Sequence, residues 1–308
     1  MTGWKRLGRA RKSNDLGVLG HVNLDIIYNV PRLPVPGTSI NTSGITERAG
    51  GTALNIAIYA SCLGVSTAIG SYVGEDIAPT IESALKKGHI DSHDIFIIPG
   101  ERTPKCHIFS DPYGEQSYVI EQGAMEKRGR TPLWKHVIMH SKILHVATGD
   151  PVRYAYALQK TTYNLDPGQE IAYRYDGNLL KRLLSHTGIF FSNKLEFSIA
   201  LKLLKLKKWR EITDYCSNAI ITAGARGAWL IETDGRRLIA APQATGNRND
   251  TVGAGDAFRA GFYAAQHRGL EIPDSIEYGN TMAAGVVSGR IYQNWKQLSR
   301  TKEKLYRS

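Results

Sequence analysis

Short apolar runs alternate with amphipathic stretches from one end of this 308-residue sequence to the other. DLGVLGHVNLDIIYNV (15–30) opens with an apolar run bounded by glycine, the pattern of a buried strand. TALNIAIYASCLG (52–64) places Ala53, Ile56, Ala57, Ala60 and Leu63 at helical spacing and stops at Gly64. VSTAIGSYVG (65–74) reads as a second strand and IAPTIESALKKGHI (77–90) as a second helix. KILHVATGD, NLDPG, GIFFSN, AIITAG and AWLIET then supply further β-type runs, several of them separated by amphipathic segments. Such an exchange predicts an α/β fold: a mainly parallel sheet with helices on both faces.

Two stretches break the pattern. PRLPVPGTSINTSGITERAGG (31–51) is too polar for a core and too long for a simple turn, so it should leave the main sheet. PKCHIFSDPYGEQSYVIEQGA (104–124) has two β-rich arms around DPYGE, a hairpin signal. Residues 31–48 and 104–124 together are expected to form a small β lid over the site, whose exposed edge could pair in a homodimer.

Composition excludes several classes. Hydrophobic residues are 42% and charged residues 22%, the balance of an ordinary globular protein, so disordered and fibrous chains are set aside. No run reaches the roughly 18 to 20 apolar residues of a membrane span. The first residues, MTGWKRLGRARKSND, lack an apolar segment behind their charges, so 1–14 read as a flexible basic tail and 15–308 as one domain. The net charge of +11 gathers in that tail, in LKLLKLKKWR (201–210) and at the C-terminus. The middle cluster alternates Leu and Lys as an amphipathic surface helix does, and no nucleic-acid-binding motif accompanies it, so a nucleic-acid partner is not expected. Cys62, Cys106 and Cys216 are odd in number and widely spaced, which argues against zinc or a disulfide framework and for a reducing cytoplasm.

The segment richest in chemistry is NDTVGAGDAFRAGFYAAQ (249–266). Gly253, Ala254 and Gly255 carry little or no side chain, so their backbone N–H groups can crowd an anion at the start of the following helix. Asp256 would repel that anion unless its task is to take a proton from an attacking hydroxyl while the N–H groups hold a phosphoryl group. A glycine turn before an acid-capped helix is common by itself; the whole run is specific. Neither G-x-G-x-x-G after the first strand nor G-x-x-x-x-G-K-[ST] occurs, which removes dinucleotide dehydrogenases and P-loop NTPases.

DTVGAGDAFRAGF resembles the C-terminal signature of the ribokinase-like (PfkB) sugar and nucleoside kinases, and AGGTALNIAIYASCLG (49–64) resembles their N-terminal signature. The resemblance runs from residue 15 to near the end. It implies a three-layer α/β/α sandwich around a mainly parallel sheet with a β lid, and transfer of a phosphoryl group from ATP with Mg²⁺. GHVNLD (20–25) resembles the G-x-x-N-x-D element, in which Asn23 and Asp25 would bind ribose hydroxyls; a carboxylate accepts from two vicinal hydroxyls at once. Gly50, Gly51 and Asn55 would shape the same pocket. SNKLEF (192–197) resembles the N-x-x-E element, which would place Asn193 and Glu196 toward Mg²⁺ through water. ITAGARGAW (221–229) resembles T-x-G-x-x-G, with Thr222, Gly224 and Gly227 near the ATP phosphates and ribose. Asn280, in YGNTMAAGVV, sits where the family lines the adenine pocket.

Within the family, TPK (103–105), ATGDP (147–151) and DPGQ (166–169) resemble archaeal nucleoside kinases. That resemblance implies nucleoside 5′-phosphorylation, with Gln116 and Gly123 on the substrate side and Asp166 as a supporting or cation-site carboxylate, or a strand-end structural residue. The alternative on the same fold is a ribokinase- or fructokinase-type sugar kinase; the remote one is a non-catalytic nucleic-acid-binding protein. Family members carry a glycine-rich stretch after the Asn280 helix, part of an alkali-cation loop. SGRIYQNWKQL replaces it here, which argues against a K⁺ site at Asp250 and Val252.

Overall fold

The computed structural model describes residues 5–8, 10–127, 131–244 and 252–289. The stretch 15–30 holds two strands, the first of them the glycine-bounded apolar run. β1 (Asn14–Leu19) enters the main sheet, Gly20–Val22 cross over, and β2 (Asn23–Asn29) joins a separate sheet. β3 (Gly44–Gly50) pairs antiparallel with β2, from Asn23 opposite Gly50 to Asn29 opposite Gly44. Residues 31–43 are therefore the connection between two lid strands, not strands themselves.

α1 (Thr52–Cys62) is buried without interruption from Ala53 to Tyr59, as expected of a helix apolar on every side. β4 (Thr67–Val73) lies parallel to β1. α2 (Pro79–Lys87) is amphipathic: Pro79 starts it, where its missing N–H costs nothing, and Ile81 and Leu85 turn inward one turn apart. β5 (Asp91–Ile97) ends the main sheet on that side. β6 (Lys105–Ser110) and β7 (Gln116–Glu121) form the expected hairpin, and β6 runs parallel to β2. The small sheet has the order β3-β2-β6-β7.

The second half repeats one unit. α3 (Lys135–His140) leads into β8 (Ser141–Val146), α4 (Pro151–Ala157) into β9 (Tyr163–Leu165), and α5 (Gly177–Leu184) into β10 (Thr187–Asn193). α6 (Lys194–Leu204) then leads into β11 (Asn218–Thr222). β12 (Ala228–Glu232) and β13 (Gly235–Ile239) return antiparallel, and α7 (Ala254–His267) packs on α8 (Ile272–Val287). Among the described residues the main sheet has nine strands in the order β13-β12-β11-β10-β9-β8-β1-β4-β5. One core lies between this sheet and α1, α2, α7 and α8; the other lies under α3 to α6. This is the three-layer sandwich with a small second sheet that the sequence predicts.

Two local expectations change. Residues 5–7, taken as part of a flexible tail, lie along β5: Leu7 N donates to Ile95 O at 3.1 Å and Ile97 N to Lys5 O at 3.0 Å. β5 is an edge strand with unpaired backbone groups, and this segment satisfies some of them. The basic run 201–210 is not one helix, because α6 ends at Leu204 and Lys205 takes the left-handed conformation (φ 57°).

Candidate active site

In open α/β sheets ligands bind beyond the carboxyl ends of the strands. Here His21 follows β1, Thr148 follows β8, Asp166 follows β9, and Asn193 and Thr222 end β10 and β11; all five face one cleft of about 960 Å³. The lid supplies the opposite wall. Asn23 and Asp25 on β2, Cys106 and Ile108 on β6, and Tyr118 and Ile120 on β7 alternate toward the cleft, the period-two spacing of strands. The lid wall is polar at β2 and largely apolar at β6 and β7.

Two helix N-termini meet on the cleft floor. α1 starts after Gly51, whose φ of 96° suits glycine, and a Cβ there would collide with the His21 carbonyl. α7 starts after Gly253 in the left-handed region (φ 79°), where a Cβ would meet nothing closer than Tyr59 Oη at 3.5 Å. The first turn of α7 is thus bare toward the cleft, as an anion seat requires. Asp256 stands in that turn and accepts a hydrogen bond from Asn55 Nδ2 of α1 at 2.8 Å. Burial pushes its carboxyl up to about 7, with Asp166 and Asp25 adding to the rise and Asn55 and Arg259 opposing it. The residue still borders the cleft, so the group is enclosed by protein yet reachable by a ligand.

Asp25 is 5% exposed and accepts from Asn23 Nδ2 at 2.6 Å, with Arg48 Nε at 3.4 Å. Burial raises its pKa; Arg48 and Asn23 hold it back. Gly50 does not line the cleft: a Cβ there would run into the Asp25 carboxylate, so its task is to make room for that side chain. Asn193 and Glu196 form a capping box at the start of α6, Glu196 N donating to Asn193 Oδ1 at 2.9 Å and Asn193 N to Glu196 Oε2 at 2.7 Å. Burial raises the Glu196 carboxyl, and Asp166 adds to the rise. Hard oxygen donors at the cleft edge suit Mg²⁺, which keeps waters and leans on substrate phosphates rather than on an all-protein cage. No cluster of three or more metal-ligating side chains occurs among the described residues.

Other expected positions fall elsewhere. Gln116 shares the cleft-facing side of β7 but lies at its outer end, where its Oε1 accepts from Tyr118 at 2.5 Å. Gly123 has φ 47° and packs against the Arg102 carbonyl; its neighbour Gln122 is the one that borders the cleft. Gly224 and Gly227 build the turn between β11 and β12, both at positive φ, and only Thr222 of that element borders the cleft. Asn280 is buried and donates to the carbonyls of Ile239 and Ala240 at 2.9 and 3.3 Å, tying α8 to the end of β13. Ala254 packs onto the core, and Asp250 lies outside the described residues.

The sequence reading missed a polar rail across the cleft. Thr148 Oγ1 lies 2.9 Å from His21 Nδ1, His21 Nε2 lies 2.7 Å from Gln122 Oε1, and Gln122 Nε2 donates to Glu170 at 3.1 Å. Since Glu170 only accepts, the Gln122 amide must turn its NH₂ that way, and its carbonyl then takes the His21 Nε2 proton. Arg259, one turn beyond Asp256, was missed as well; its place in an otherwise apolar helix face is the signal that could have found it.

A carboxylate near neutrality beside an amide-lined anion seat, opposite a second carboxylate that can hold vicinal hydroxyls, defines a site for moving a phosphoryl group onto an alcohol. The pfkB family carbohydrate kinase model matches residues 13–294, and the chain belongs to that family. It is a phosphotransferase that acts on a hydroxyl acceptor. The nucleoside kinase of Methanocaldococcus jannaschii is 32% identical over 289 residues, which cover 91% of this chain and 92% of that one. The nucleoside kinase of Thermoplasma acidophilum is 31% identical, covering 90% of each. The crystal structure of the Methanocaldococcus jannaschii nucleoside kinase, an archaeal member of the ribokinase family, superimposes with a TM-score of 0.79 at 29% identity, covering 95% of this chain and 99% of that one. Among the described residues, no helix is long and apolar enough to cross a membrane.

Proposed function

We propose that the protein is an ATP-dependent nucleoside kinase that phosphorylates the 5′-hydroxyl of a ribonucleoside. The observation that carries this reading is the pairing of Asp256, enclosed at the head of α7 and held by Asn55, with a lid wall that is polar at Asn23 and Asp25 and apolar at Ile108, Tyr118 and Ile120. The polar part suits a ribose and the apolar part the face of a base, whereas a free sugar would leave the apolar wall wet. The two nucleoside kinases above support the same acceptor.

Asp25 and Asn23 hold the ribose so that its 5′-hydroxyl faces Asp256. Asp256 takes the hydroxyl proton as the oxygen attacks the γ-phosphorus; the new O–P bond forms, the bond to the β,γ-bridging oxygen breaks, and that electron pair leaves on ADP. Backbone N–H groups at Gly253–Gly255 face the charge that gathers on the phosphoryl oxygens. Glu196 and Asn193 would hold Mg²⁺ through water, and the ion would supply neutralisation of the ATP phosphates. Closing the lid keeps water from competing with the acceptor.

On its outer side the lid presents Ile45, Tyr28 and Phe109 in one cross-strand row, with Val119 beside His107. Tyr28 stacks on Phe109 at 5.1 Å, while Ile45 and Val119 are more than half exposed. This apolar stripe is where a homodimer would pair. The three unpaired cysteines suit the cytoplasm. An ADP-release assay with ATP and Mg²⁺ against nucleosides and sugars tests the function. Turnover on nucleosides supports it; turnover confined to ribose, fructose or a sugar phosphate keeps the fold and replaces the acceptor.

A further inference from the structure

α7 buries an apolar face from Ala257 to Ala265 against the core, and one residue in that run is charged: Arg259, only 6% exposed. Its Nε donates to Asp166 Oδ2 at 2.7 Å and its Nη1 to the Gly255 carbonyl at 3.3 Å. The guanidinium also lies over the Phe191 ring, 5.6 Å from its centroid. Burying an ion pair costs desolvation that attraction only partly returns, and well-packed apolar residues often do as well. Stability alone gives no reason for an arginine at this place.

His145 lies behind Asp166, held by Tyr263. The Tyr263 hydroxyl accepts from Asn164 Nδ2 at 3.2 Å and lies 2.7 Å from His145 Nδ1, in a hydrogen bond. Burial pushes His145 down to about 4, so its ring is neutral, and its Nε2 lies 3.8 Å from Asp166 Oδ2. Arg259 and Asp166 thus form a clamp between the first turn of α7 and the end of β9.

We propose that Arg259 is a positioning residue for phosphotransfer: clamped on Asp166, it locks the turn that carries Asp256 and sets a permanent positive charge behind that carboxylate. The inference rests on Asp256 being the base. Charged and polar groups act on Asp256 from several elements: Asn55 from α1, Asp25 from β2, Asp166 beyond β9 and Arg259 from α7 itself, while Glu196 of α6 acts on Arg259. Asp25 and Asp166 disfavour its charge, and ATP brings more negative charge; Arg259 is the cation that opposes them on this helix. A planar fork with several donors can hold a carboxylate and a carbonyl together, which a lysine cannot do as well.

The test compares Arg259→Met, Arg259→Lys, Asp166→Asn and the Arg259→Met/Asp166→Asn double variant, with Asp256→Asn as reference. Steady-state kcat and KM for nucleoside and ATP are measured across pH. Removing the cation should cut kcat about tenfold or more with the nucleoside KM little changed, and should move the acid limb of kcat/KM up by about one pH unit. Asp166→Asn should move the limb down, the double variant should bring it back toward wild type, and lysine should recover part of kcat. If Arg259→Met fails to fold, the lysine and double variants carry the test. Limbs that stay in place while only thermal stability falls would overturn the inference and leave a structural ion pair. If Asp256→Asn turns over near the wild-type rate, the base assignment fails instead, whatever the arginine variants do.

Discussion

Replacing Asp256 by Asn should make the enzyme slower and the fold more stable at once. The carboxyl has its ordinary value of 3.8 in the unfolded chain and about 7 in the cleft. A raised acid means the folded state binds the proton more tightly, so stability is fully present below the unfolded value and is lost as pH rises toward the folded one. Above about pH 7 the folded protein carries an ionised group at a penalty of about three pKa units, or about 4 kcal/mol as an upper limit. Water entering the cleft screens part of that, so a gain of about 2 to 4 kcal/mol is expected for the asparagine variant at about pH 8.5. At about pH 4.5 the folded carboxyl is still protonated and carries no buried charge, while the unfolded one is only just past its own value, so the gain should shrink to about 1 kcal/mol. Urea unfolding of wild type and variant at the two pH values reads the difference, with m-values checked for constancy. In parallel, turnover should fall about 10² to 10⁴-fold, the usual worth of a positioned general base. In wild type, kcat/KM should fall below about pH 7 as the base protonates. A variant that turns over normally, or that is destabilised at alkaline pH, would refute the assignment of a base whose charge the cleft disfavours.

Asp25→Asn removes the buried charge that Asn23 and Arg48 hold. Losing charge-assisted hydrogen bonds to the acceptor should raise the nucleoside KM about ten- to a hundredfold while the ATP KM stays in place, as read by initial rates with each substrate varied. Gly51→Ala forces a side chain onto a φ of 96° and against the His21 carbonyl, so denaturant unfolding should show a loss of about 2 kcal/mol or more. Gln122→Leu breaks the rail between His21 and Glu170 and leaves both buried groups short of a partner. A loss of about 1 to 3 kcal/mol is expected in the same assay.

How far such features could be read in advance depends on how local they are. The strand–helix alternation, the DPYGE hairpin, the turn–helix at Gly253–Asp256 and the N-x-x-E capping box are set by neighbours in sequence, and periodicity or turn chemistry exposes them. The split of DLGVLGHVNLDIIYNV is different. Both halves are β-prone, and what separates them is pairing: β1 finds β4 and β8, β2 finds β3 and β6. β3 is polar, GITERAG, and becomes a strand because β2 offers it an edge rather than through its own propensity. The early end of α6 carries no glycine or proline to announce it; Lys205 takes the left-handed turn itself.

The same distinction runs through the site. The proposed site residues Asp25, Asn55, Glu196 and Asp256 stand in recognisable runs and converge on one cleft. Residues that hold those in place do not. His21, Gln122 and Glu170 meet across sequence separations of 101 and 48, and no single segment shows that they belong together. Arg259 falls between the two kinds, since a charged residue on a wholly apolar helix face must find a buried partner or pay heavily in desolvation. Helix geometry places that partner near the Asp256 turn, which is where Asp166 stands. A charge inside an otherwise unbroken apolar face is therefore a sequence-level sign of a group that works on its neighbours, and here it lies within one turn of the proposed base.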